Sequence, residues 1–112
     1  LLKFEDWCGG IAGIVGLMGV GRVGFGSERC QDQPNSVVEW MRNGRWTKET
    51  DYGEGSADNA GFPPQPAWFS NSTGYPGIAK GLADVGFDNV DVAKICHGNW
   101  YQFFERSFGP EH

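Results

Sequence analysis

Four glycines interrupt the amphipathic stretch at the start of the chain, and they limit what it can fold into. Between Phe4 and Gly19, the apolar residues Trp7, Ile11, Ile14, Val15 and Met18 fall at helical spacing, along one face. Glu5 and Asp6 occupy the first turn, where carboxylates oppose the positive end of the helix dipole. Gly9, Gly10, Gly13 and Gly16 lie inside the same stretch, each costing about 1 kcal/mol relative to alanine. A helix of this composition does not form alone. It has to be held by packing, and its small residues are expected to let it lie close against a sheet. Glycine makes up 18 of the 112 residues, against a usual share of roughly 7%. The same dependence on packing therefore runs through the chain.

Gly19 is expected to close this helix. Val20 to Cys30 then reads Val-Gly-Arg-Val-Gly-Phe-Gly-Ser-Glu-Arg-Cys. Val20, Val23 and Phe25 are strand formers, and Gly24 and Gly26 let other backbone or a ligand come close. Ser27 and Glu28 stand where the apolar pattern stops. In a barrel of parallel strands, a carboxylate at such a strand end points into the active-site mouth. In other settings it is a solvated glutamate at the start of a surface loop, and on pattern alone that is the commoner reading.

The net charge of −5, with no long basic cluster, argues against nucleic acid and anionic membrane surfaces as partners. The apolar stretch from Cys8 to Val20 is shorter than the roughly 20 residues needed to span a bilayer, and it lacks the basic start of a signal peptide. Cys8, Cys30 and Cys96 are an odd number with no metal-site spacing, so free thiols are expected rather than a disulfide framework. The first residue is Leu, so the chain is expected to be part of something longer.

Gln31 to Ser70 reads as a long irregular stretch. A short helix is expected at Pro34-Asn35-Ser36, with Val37, Val38, Trp40 and Met41 on its apolar side. Asn43-Gly44 marks a turn. Asp51 to Gly61 is a loop, and Phe62 to Pro66 is extended in polyproline form. A connection of this length is usually a functional lid or a piece wrapped over a larger body. Trp40, Trp46, Tyr52 and Trp68 could line a sugar or aromatic ligand site, but anchors over a core or subunit contact are the favoured reading. Asn71-Ser72-Thr73 fits the acceptor pattern for N-glycosylation, a pattern that also arises by chance.

From Tyr75 the pattern becomes regular. Pro76 starts a helix with Ile78, Leu82 and Val85 on its face, and Gly86 ends it as a left-handed cap. Asp88 caps a second helix, with Asp91 three positions on in the manner of a capping box. Val92, Ile95 and Cys96 form its apolar side. His97-Gly98-Asn99 is expected to break that helix, with Asn99 capping a third. On this third helix Trp100, Phe103, Phe104 and Phe108 form one stripe, expected to be core.

Two groups of residues resemble the renal (membrane) dipeptidases, peptidase family M19. One is Tyr75-Pro76-x-Ile78, Leu82, Gly86-Phe87, Val92-Ala93-Lys94-Ile95, Gly98-Asn99-Trp100 and Phe104, which resembles the family's C-terminal end. The other is Gly19-Val20-x-x-Val23-Gly24-Phe25-Gly26-Ser27, which resembles its eighth barrel strand. The likeness covers roughly 4–30 and 68–108, and it is the order of strand then tail helices that makes it specific.

The resemblance implies an α/β fold, the C-terminal portion of a (β/α)8 TIM-like barrel. Residues 1–30 would be the last barrel helix and strand, 31–74 a long irregular loop with a short helix, and 75–112 the C-terminal helices. One parallel strand cannot make a sheet by itself, so this portion would need the remainder of the barrel as its partner.

The family hydrolyses dipeptides with a water held between two zinc ions. Its metal ligands, a His-x-Asp, a bridging Glu and two later His, have no counterparts in this chain. His97 and His112 match no ligand position, so no zinc is expected to be bound by this chain alone. Glu28 matches the strand-eight Asp, which in the family lies beside the metal-bound water and handles its proton. Glu is longer by one methylene, which changes the reach by about 1.5 Å. Cys30 stands where the family often has Asp, and Gly10-Ile11-Ala12-Gly13 stands where it often has a polar run. The implied function is part of a zinc-dependent dipeptidase acting on a dipeptide substrate, with a possible homodimer contact. A non-catalytic relative and an independent small binding protein with an aromatic loop are the alternatives.

Overall fold

Helix α1 runs from Phe4 to Met18 in a computed structural model that describes residues 2–27 and 66–111. The chain divides into two units, Leu1–Ser27 with Pro66–His112, and Glu28–Gln65. Every described residue belongs to the first. The expectations for Pro34 to Gln65, for Trp40, Trp46 and Tyr52, and for Glu28, Cys30 and His112 lie outside the described residues.

The first unit is mostly helical, and among the described residues there is no strand. The acidic pair Glu5 and Asp6 falls in the first turn of α1. Gly19 ends the helix at φ +84°, a left-handed value that side chains rarely adopt. Its N–H donates to the Val15 carbonyl at 2.8 Å. Val20–Arg22 then makes a single 3-10 turn, and Val23 is extended. The strand expected over Val20 to Cys30 is therefore not formed in its described part. The physical reason is that no second strand pairs with it among the described residues, and a lone strand has no ladder to close.

Helix α2 spans Tyr75–Asp84, with Pro76 at its start. Its end is a Schellman motif. Gly86 takes φ +109°, the Gly86 N–H donates to Ala83 at 3.0 Å, and the Phe87 N–H donates to Leu82 at 3.2 Å. Helix α3 spans Asn89–Ala93, and the Asp88 carboxylate accepts from the Asp91 N–H at 2.8 Å. The Asp91 carboxylate lies 3.7 Å from the Lys94 ammonium.

Asn99 does not cap a third helix. The path continues from α3 through a π turn, Lys94–Gly98, into α4, Asn99–Phe108. The Asn99 N–H donates to the Lys94 carbonyl, five residues back. In an α-helix, positions five apart point about 140° away from each other. The wider turn brings them round together, so that Trp100, 44% exposed, stands on the side of buried Ile95 that reaches the Phe25 carbonyl. Gly109 closes α4, its N–H donating to Glu105 at 2.9 Å.

The core is small. Cys8 and Ile11 from α1, Val23, Phe69, Ile78 and Leu82 from α2, and Ile95 are its buried members. Leu82 and Ile95 are wholly enclosed, each worth about 1.5–3 kcal/mol relative to exposure. Close packing of α1 occurs at Gly81 of α2, where an added Cβ would collide with the Phe4 ring and come within 3.0 Å of the Cys8 sulfur. It does not occur at α1's own glycines. A Cβ at Gly9, Gly10, Gly13 or Gly16 would meet nothing within 4 Å, so the close approach to a sheet expected there has no counterpart among the described residues. Burial of the Cys8 thiol, reinforced by the Glu5 and Asp84 charges, raises its pKa above the ordinary value. Burial alone raises that of Cys96. Both thiols are free.

Two expected core faces are largely uncovered. On α4, Phe104 is 53% exposed and Phe108 is 78% exposed. These rings stack on one another instead, Trp100 on Phe104 at 5.9 Å and Phe103 against Phe104 at 5.5 Å. On α1, Ile14 and Met18 are exposed beside Leu17, and Val85, just past the end of α2, is exposed. The expectation that these residues are core is not met among the described residues, because no described element packs over them.

Candidate functional site

Glu28, the sequence-predicted acid/base residue, lies outside the described residues. The backbone leading to it is described, and its anchoring is specific. The Asn99 side-chain amide donates to the Val20 carbonyl at 2.7 Å and to the Val23 carbonyl at 2.8 Å. The Trp100 indole N–H donates to the Phe25 carbonyl at 3.2 Å. Trp100 lies so close to Gly24 that an added Cβ would sit 2.6 Å from its ring nitrogen. The sequence offered Gly24 as a point of close approach, and the approaching group is this indole.

On its other side the segment meets a cluster of rings. Phe25 packs edge-on to Trp7 at 5.5 Å and stacks with Tyr75 at 6.3 Å. Ser27 Oγ and the Tyr75 hydroxyl are 3.1 Å apart, a hydrogen bond one residue before Glu28. Trp68 stacks on Phe4 at 4.9 Å and donates its indole N–H to the Leu2 carbonyl at 3.1 Å. Trp68 is thus an anchor, as favoured from the sequence, and Phe69 beside it is buried.

A cleft of about 420 Å³ opens along the same segment, lined by Arg22, Gly24, Asn99, Trp100, Phe103 and Arg106 among others. Neither guanidinium has an ion-pair partner among the described residues. Two uncompensated cations beside aromatic walls can attract a carboxylate or similar anion. Sequence reasoning did not single out either arginine. The available signal was the spacing of Asn99, Phe103 and Arg106 along one face of α4. Arg22 joins them only through the tertiary fold.

His97 is exposed on the π turn. Among the described residues no group of three His, Cys, Asp or Glu side chains comes together as a metal site. The described residues by themselves therefore do not make up a two-zinc centre. No described helix is long and apolar enough to cross a membrane. In comparisons with protein-family models, curated proteins and solved structures, the chain matches none.

Proposed function

We propose that this chain is the C-terminal segment of a zinc-dependent dipeptidase of the renal dipeptidase type, acting only with the remainder of a (β/α)8 barrel. The observation that carries this reading is the ordered sequence resemblance, strand-eight-like residues followed by tail helices. Two structural features support it. Val20 to Ser27 is tied through its carbonyls to Asn99 and Trp100, two residues of the resembling tail. Among the described residues, the Ile14–Met18 end of α1 and the ring stripe of α4 are left largely exposed, as they would be in a portion of a larger body.

On this reading the missing barrel supplies the metal ligands and the dipeptide pocket. Glu28 follows the Ser27–Tyr75 hydrogen bond and is the carboxylate that takes and returns the proton during peptide hydrolysis. General acid–base groups contribute typically about 10²–10⁴-fold to rate. Glu28→Gln in the assembled barrel is therefore expected to lower kcat for dipeptide hydrolysis by about that factor, with zinc content unchanged. An unaltered kcat would remove Glu28 from the chemistry.

A further inference from the structure

We infer that Asn71 is an acceptor for an N-linked oligosaccharide, transferred from a lipid-linked pyrophosphate sugar donor during passage through a secretory pathway. Asn71-Ser72-Thr73 is the chain's one Asn-x-Ser/Thr sequence without an intervening proline. It precedes α2 and is not among the residues that carry the resemblance.

The local geometry adds what three letters cannot. Asn71 caps the short 3-10 turn Ser72–Gly74 with an Asx turn, its Oδ1 accepting from the Thr73 N–H at 2.9 Å. The Thr73 hydroxyl donates to the same oxygen. Because a backbone N–H must face an acceptor, the oxygen end of the amide is the one turned inward. Nδ2 is then turned away from the turn and makes no hydrogen bond of its own among the described residues. Residues 71, 72 and 73 are all exposed. A sugar on Nδ2 leaves the Oδ1 bonds of the turn in place and displaces no core contact. The hydroxyl that the acceptor pattern requires already sits against the Asn71 side chain.

In the transfer, Nδ2 forms a bond to the anomeric carbon of the first sugar. The bond from that carbon to the pyrophosphate oxygen breaks, and the lipid pyrophosphate leaves with the electron pair. Nδ2 gives one proton to a base of the transferase. Nothing is oxidised or reduced.

The test passes the full chain, behind a secretion signal, through a yeast secretory pathway. Both the exported and the retained pools are read, because sugar transfer precedes export and poor folding cannot hide it. Intact mass should show one oligosaccharide. Release by peptide N-glycosidase in heavy-oxygen water should leave labelled aspartate at position 71. Asn71→Asp keeps the Asx-turn acceptor but lacks the reacting nitrogen, and should abolish the modification. Thr73→Ala should also abolish it, and Thr73→Ser should retain it. An unmodified Asn71 in both pools would overturn the inference, as would a sugar that persists in Asn71→Asp.

Discussion

The Asn99 amide spends both its hydrogens on carbonyls 79 and 76 residues away in sequence, those of Val20 and Val23. Such half-buried carbonyls cost about 1–3 kcal/mol each when left unpaired. Asn99→Asp keeps the shape but turns an anionic oxygen toward two acceptors. With the rest of the barrel in place, it should lower the urea midpoint more than Asn99→Ala does, and an unchanged midpoint would contradict this role. Cys8 makes a prediction in pH. Its folded pKa is raised by burial and then by Glu5 and Asp84, so above the ordinary thiol value the unfolded state has lost a proton that the folded state keeps. Stability from Cys8 is therefore fully present below that value and is lost as pH rises through the higher folded one. The slope of unfolding free energy between about pH 8 and 10 should be negative, and shallower in Cys8→Ala. An equal slope in both would assign the effect elsewhere.

At the level of elements, the helix ends were the most legible part of the sequence. Gly19, Gly86 and Asp88 act through bonds within a few residues of themselves, so their chemistry could be read locally. Asn99 was not legible in this way. A glycine followed by asparagine looks the same whether it starts a helix or sits in a π turn. Here the choice is tied to carbonyls in the Val20–Val23 segment, far away in sequence. The stripe on α4 was legible as a face, but period alone cannot say what covers it. Glu28 was nominated by resemblance, whereas Arg22 and Arg106 meet only through folding. The π turn carries its own prediction. Deleting His97 should restore α-helical phasing and swing Asn99 and Trp100 off the Val20–Phe25 carbonyls. Amide exchange at residues 20–25 should then accelerate, while α2, capped by its own residues, stays protected. Unchanged protection at 20–25 would mean the π turn does not set this contact.

Across the whole described unit, seven apolar side chains are buried and twelve large ones are exposed. The exposed ones gather on α4 and on the Ile14–Met18 end of α1, beside glycines with open space around them. Such a surface suits a body that another body covers. The glycines of α1, each weakening an isolated helix by about 1 kcal/mol, are tolerable only with such support. The most direct test is the native mass of the source protein with zinc measured on the same sample. The expected result is a mass roughly three times that of this chain or more, as a complete barrel with its tail requires, with about two zinc ions per barrel. A folded, zinc-free species at this chain's own mass would contradict it.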